Sequence, residues 1–200
     1  MTHDALLLNA FDESYYKTVN YIDFLQRKDR YVKLAEDIDG LLQKLHLNNG
    51  PVLDFGCAVG FVVEAMEDRG YEDVRGVDIS EWAIDQCKQK GLDCSQKVDY
   101  NEHWGLTFCL DVLEHMSEEE VDEFLDQLIS DAIVFRVPVC ANEGEDYVLE
   151  CSRKDPTHQI RWTAEQWIEK MEYNGYIVLS MNLPTIYSSD GVFAGLAISL

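Results

Sequence analysis

Val52-Leu53-Asp54-Phe55 is a short apolar run that breaks into Gly56-Cys57-Ala58-Val59-Gly60 and then into a helix-like apolar pattern from Phe61. No other stretch limits the possible folds as strongly. A strand that ends in closely spaced glycines and opens a helix brings bare backbone close to a ligand at the carboxyl edge of a sheet. Eighteen residues after Gly60, Asp78 closes a second strand-like run, Val74-Arg75-Gly76-Val77. An acid at that place stands beside the same crevice, and its two oxygens suit the diol of a ribose.

Around this turn strands and helices alternate. Tyr31, Leu34, Ala35, Ile38, Leu41, Leu42 and Leu45 recur at helical spacing, and Asn48-Asn49-Gly50-Pro51 ends that helix. A helix over about 61–69 follows the turn, and Ser80 caps another that runs to about Lys90. A weak strand near 94–98 and a clearer one over 106–110 come next. Ser117 and Glu120 form a capping box for a helix with the stripe Val121, Phe124, Leu125, Leu128 and Ile129. Residues 132–137 are strongly β-branched; Thr163 and Gln166 form a second capping box, and Gly175 stops that helix. Strands over about 176–183 and 192–200 flank a loop from Pro184 to Gly191.

Such alternation implies a mostly parallel sheet with helices on both faces. The last two strands have no helix between them and are expected to pair antiparallel. The expected fold is α/β: a Rossmann-like, doubly wound, seven-stranded sheet with an antiparallel C-terminal hairpin strand. No repeat or Pro/Ser-rich linker divides the chain, so residues 1–200 read as one domain with its core over 50–200. The aromatic-rich segment 1–30, with Phe11, Tyr15, Tyr16, Tyr21 and Phe24, reads as one or two short helices. It is either a lid or a segment that packs on the core or on a second copy.

Composition narrows the partners. The net charge of −22 makes a surface that repels phosphate backbones and anionic lipid, so neither nucleic acid nor a membrane is an expected partner. The six cysteines include no C-x-x-C pair, which suggests reduced thiols. The first residues lack a basic n-region. A cytoplasmic protein, monomeric or homodimeric, is expected. His3, His46 and His103 have no ligand-like spacing with each other or with the cysteines, and no metal site is expected.

The glycine spacing discriminates between nucleotide classes. Gly56, Ala58 and Gly60 are spaced two and two, whereas the dinucleotide fingerprint G-x-G-x-x-G needs a third glycine three residues after the second. Asp54 would repel a pyrophosphate and attract a ligand that carries an ammonium and a sulfonium.

On these residues the chain resembles the class I S-adenosylmethionine-dependent methyltransferases, in particular their ubiquinone-biosynthesis-like small-molecule branch. Residues 52–60 resemble motif I, and Val77-Asp78-Ile79-Ser80 is similar to the second-strand acid motif. Leu110-Asp111-Val112-Leu113-Glu114-His115-Met116 is similar to the D-V-L-E-H signature. Asp155-Pro156-Thr157-His158, with Thr163 and a helix ending at Gly175, resembles the segment after the fifth strand. Two features depart from the family. Ala58 replaces a glycine, and residues 99–104 lack the customary acidic-proline phrase.

The resemblance implies S-adenosylmethionine as cofactor and S-adenosylhomocysteine as product. Gly56, Cys57, Ala58 and Gly60 would lie against the methionine and ribose, Asp54 near the ammonium and Asp78 on the ribose. Ile79 would pack on the adenine, Asp111 and Val112 would line the methionine side, and Asp99 would meet the adenine edge or simply solvate its loop. Methyl transfer from a sulfonium needs mainly alignment, and a base only where the acceptor holds its proton tightly. His115 and His158 are the candidates, with loop bracing the alternative for His115, and Glu114 would point into the structure or orient a histidine. The expected acceptor is a small molecule, methylated at an oxygen of a glycan or secondary metabolite. A catalytically inactive methyltransferase-like subunit that binds a protein partner is the competing reading.

Overall fold

Helix α1 (Lys28–Leu45) forms because its apolar residues return at three- and four-residue steps, so that Leu34, Ala35, Ile38 and Leu42 are all buried. It ends at His46, whose left-handed backbone (φ 59°) returns its N–H to the helix carbonyls. The computed structural model describes residues 11–17, 23–47, 50–182 and 190–200. His3, Tyr21, the Asn48-Asn49 pair and most of the Pro184 loop lie outside them. The chain divides into two compact units, Met1–Asp99 and Tyr100–Leu200.

In the first unit, β1 (Val52–Phe55), α2 (Phe61–Glu67), β2 (Val74–Val77), α3 (Glu81–Gln89) and β3 (Cys94–Ser95) follow α1. The strands are parallel in the order β3-β2-β1, with Val52 opposite Val74 and Gly76 opposite Cys94. Asp39 on α1 is buried and accepts hydrogen bonds from Arg69 (2.6 and 2.9 Å), Tyr71 (3.0 Å) and Gln43 (3.0 Å). Burial works to raise its pKa, but these bonds outweigh it and hold the carboxyl below its ordinary range. The described part of the aromatic N-terminal segment is two 3-10 turns, Tyr15–Lys17 and Phe24–Gln26. Tyr16 stacks on Trp82 with 5.3 Å between centroids, and Phe24 meets Phe61 at 5.5 Å. With Ala58 and Val59 these rings form one cluster, so the segment packs directly on the glycine turn.

The second unit contains β4 (His103–Trp104), β5 (Leu106–Leu110), α4 (Glu118–Gln127), β6 (Ile129–Ser130) and β7 (Ala132–Pro138). It continues with α5 (Glu150–Lys154), α6 (Ala164–Tyr173), β8 (Tyr176–Met181) and β9 (Val192–Ser199). All seven residues of β7 are buried. Strand β7 runs parallel to β5 and antiparallel to β9, which pairs antiparallel with β8, in the order β5-β7-β9-β8. Both capping boxes form as the spacing requires. With β1, β2 and β3 these strands make the seven that the alternation calls for. Three details differ from the expectation. Strands β4 and β6 pair in a separate parallel ladder of two residues each, too short to leave a periodic signal. Ile129 belongs to β6 and is exposed rather than part of the α4 stripe. Helix α5 interrupts the long connection after β7. No helix among the described residues is long and apolar enough to cross a membrane.

Candidate active site

The turn after β1 is locked from within. The N–H groups of Gly56 and Cys57 both donate to the Val77 carbonyl, at 2.7 and 2.9 Å. Gly60 N–H donates to the Cys57 carbonyl at 2.8 Å, and Ala58 N–H donates to a carboxylate oxygen of Asp78 at 2.8 Å. The other oxygen of Asp78 accepts from Ser80 N–H at 2.8 Å. These four turn N–H groups are therefore engaged inside the protein, which corrects the expectation of bare donors facing a ligand. A site without those donors has little to hold a diphosphate.

What the turn does have is a pair of carboxyl groups. Asp54 and Asp78 are both buried, and no lysine or arginine among the described residues ion-pairs with either. Burial pushes the Asp54 carboxyl well above the usual range, and the negative groups at Cys94 and Asp78 push the same way. Burial also raises Asp78, against the hydrogen bonds from Ser80 and Ala58 N–H. Two acids held this way gain from a cation placed beside them. Ile79, next to Asp78, is 42% exposed, an apolar side chain standing open at the end of β2. Asp99 is an exposed loop residue.

Ala58 holds φ at +47°, a conformation that a Cβ disfavours. Restoring a glycine relieves that strain at a modest cost in chain entropy. Ala58→Gly is expected to raise the unfolding free energy by about 1 kcal/mol, read as a higher urea midpoint. A lower or unchanged midpoint would mean that the position is not strained.

A second cluster lies in the other unit, after β5. A 3-10 turn, Leu113–His115, receives the backbone of the loop that follows α5. Gln159 N–H donates to the Glu114 carbonyl at 2.8 Å, and the Gln159 amide donates to the His115 carbonyl at 2.5 Å. That stitching brings His115 and His158 together, with ring centroids 4.6 Å apart, and Tyr147 lies 5.2 Å from His158 on another side. Nδ1 of His115 pairs with the Thr157 hydroxyl at 2.9 Å. Nε2 of His158 is 3.8 Å from Asp155, while its buried Nδ1 has no hydrogen-bond partner among the described residues.

Burial pulls the His115 pKa down to about 4, with His158 adding to the effect. Burial also lowers His158, which Asp155 opposes. Glu114 is pushed well above the carboxylate range by burial and by Asp111. Burial thus favours the uncharged form of all three groups. One ligand atom each of Glu114, His115 and His158 lies within 4.8 Å of the others, a donor set able to take a divalent cation. Asp111 has left-handed backbone (φ 58°), and its carboxylate pairs with the guanidinium of Arg136 on β7. Val112, beside it, is half-buried.

A family model for the methyltransferase domain matches residues 26–181, a stretch that runs through both units. The chain belongs to this methyltransferase family. A ubiquinone biosynthesis O-methyltransferase of Dechloromonas aromatica (strain RCB) is 34% identical over 91 residues, 40% of this chain and 39% of that protein. A protein of the same description from Idiomarina loihiensis is 30% identical over 92 residues, 40% of this chain and 35% of its own. The match thus spans less than half the length of these curated relatives. Among solved structures, the magnesium protoporphyrin IX methyltransferase of Synechocystis PCC 6803 with bound SAH superposes with TM-score 0.68. Its identity is 16%, over 98% of this chain and 99% of that one. A SAM-dependent methyltransferase from Archaeoglobus fulgidus reaches TM-score 0.60 at 20% identity, over 82% and 94% of the two chains. At such identities the likeness concerns the fold, which is the doubly wound, Rossmann-like α/β fold.

Several residues of this methyltransferase escaped the motif reading. Arg136 is one, although a lone arginine inside a β-branched run is itself a signal. Asp155 and Thr157 stand in the quoted segment, but only the fold shows that they hold the histidines. Cys87 and Cys94 converge with Cys57 from positions that no motif connects.

Proposed function

We propose that this methyltransferase binds S-adenosylmethionine at the turn between β1 and α2 and methylates an oxygen of a small molecule, a glycan or secondary metabolite. The observation that carries the cofactor reading is the pair of buried acids, Asp54 and Asp78, beside a turn whose N–H groups are already engaged. That chemistry favours a ligand bearing an ammonium and a sulfonium over a dinucleotide. When bound, S-adenosylmethionine supplies a methyl group already activated on sulfur, and S-adenosylhomocysteine is the product. Asp54 neutralises the ammonium, Asp78 accepts from the ribose hydroxyls, and Ile79 covers the adenine. Gly56, Cys57, Ala58 and Gly60 shape the turn, Asp99 reaches the adenine edge, and Asp111 and Val112 line the methionine side.

For the acceptor, His158 is the stronger base of the two histidines. Asp155 stabilises the imidazolium that forms when His158 takes the hydroxyl proton. His115, tied to Thr157, keeps the pair in place. The relatives named as O-methyltransferases support oxygen as the acceptor atom.

Calorimetry tests the cofactor. The wild type is expected to bind S-adenosylhomocysteine and to give no heat with NADH. Asp78→Ala is expected to weaken that binding by about tenfold to a hundredfold, as loss of charge-assisted hydrogen bonds does. Unchanged affinity in Asp78→Ala, or binding of NADH, would overturn the reading. An acceptor found by incubating metabolite extracts with labelled S-adenosylmethionine then allows His158→Ala to be assayed at saturating cofactor. Full turnover there removes the base role; loss of turnover on adding a chelator assigns Glu114, His115 and His158 to a cation instead.

A further inference from the structure

Three cysteines from separate elements of the first unit meet under the glycine turn. Cys57 lies in the turn, Cys87 in the last turn of α3 and Cys94 at the start of β3. All three are buried, and their sulfur atoms lie within 4.8 Å of one another. The space they converge on is left open by glycine. A Cβ at Gly76 on β2 would stand 2.6 Å from Cys94 Sγ and 2.8 Å from Cys57 Sγ. A Cβ at Gly60 would stand 3.0 Å from Cys87 Sγ. The backbone therefore gives up two side chains where three sulfurs gather.

The three thiols are close enough to hydrogen-bond to one another. Cys87 and Cys57 both direct their S–H at the single carbonyl of Ala58, at 3.3 and 3.7 Å. A disulfide would use only two of the three. Bonds of about 2.3 Å from one metal ion would space the sulfurs about 4 Å apart, compatible with three sulfurs that lie within 4.8 Å of one another.

We infer that Cys57, Cys87 and Cys94 form a three-thiolate site for a thiophilic d10 cation of the Zn2+ class. On binding, three S–H bonds break, three metal–sulfur bonds form, and three protons leave to solvent. The complex carries one negative charge. The ammonium of Lys90, three residues beyond Cys87 and bonded to the Val59 carbonyl at 2.8 Å, supplies a countercharge. Such a site clamps the turn to α3 and β3 through Cys57. It is separate from the Glu114, His115 and His158 group and stands whether or not the cofactor reading does.

One equivalent of Cd2+ added to the reduced full chain tests the site. The expected result is thiolate-to-cadmium charge-transfer absorption and, by X-ray absorption on the wild type, three sulfur neighbours on the metal. Cys87→Ser and Cys94→Ser should each weaken Cd2+ binding by more than the roughly tenfold to hundredfold that loss of an outer-shell partner costs. Cys151→Ser, at an exposed cysteine, should leave it unchanged. A first shell of nitrogen and oxygen, absorption lost with Cys151→Ser, or a disulfide in place of bound metal would overturn the assignment. The absorption measurement needs no variant to fold, and S-adenosylhomocysteine calorimetry on the same samples reports the cofactor reading independently.

Discussion

Gly60→Ala is expected to abolish S-adenosylhomocysteine binding and to lower the unfolding free energy by about 3 kcal/mol. Two costs combine. Gly60 holds φ at +78°, where an L side chain pays about 1–2 kcal/mol. The added Cβ would also stand 2.6 Å from Leu92 Cδ1 and 3.0 Å from Cys87 Sγ, and both neighbours are buried. Overpacking a closed core in this way costs about 1–3 kcal/mol more. Because Gly60 N–H closes the turn onto the Cys57 carbonyl, any shift that relieves the clash moves the residues that shape the cofactor site. Urea unfolding measures the first effect and calorimetry the second. A variant with wild-type midpoint and wild-type affinity would show that the turn is softer than its contacts require.

The turn is also where sequence reasoning reached furthest, and the reason is local. Glycine spacing, the strand before it and the acid that closes the next strand all lie within a few tens of residues and follow from backbone geometry. The same holds for the two capping boxes, each complete within four residues. Where contact depends on distant segments, periodicity is silent. His115 and His158 were both singled out, but their pairing rests on backbone bonds from 159 and 160 to Glu114. The aromatic N-terminal residues show no period because the described ones form 3-10 turns that pack ring against ring on Trp82 and Phe61. The engagement of the turn N–H groups was illegible for a different reason: it depends on where the Val77 carbonyl and the Asp78 carboxylate point. The preference for a cation was legible in Asp54, but the loss of the turn's free donors shows only in three dimensions.

Asp111 and Arg136 make the sharpest case of a residue whose motif role and structural role overlap. Arg136 lies in the buried strand β7 with its side chain 4% exposed, whereas the Asp111 side chain is 28% exposed. The two halves of the pair are therefore unequal. Asp111→Ala leaves a buried guanidinium without its carboxylate and is expected to cost about 3 kcal/mol, at the lower end for breaking a buried pair. Arg136→Met fills similar volume and leaves a carboxylate that water can reach, so its cost is expected to be about 1 kcal/mol or less. In the double variant the buried charge is gone, and stability should return to within about 1 kcal/mol of wild type. Urea unfolding of the three proteins measures this cycle. Equal costs for the two single variants, or strictly additive costs in the double, would show that burial of the arginine does not govern the pair. The double variant then separates stability from binding. If it folds like the wild type yet binds S-adenosylhomocysteine more weakly, Asp111 contributes to the cofactor directly; if affinity is unchanged, its place after β5 serves Arg136 alone.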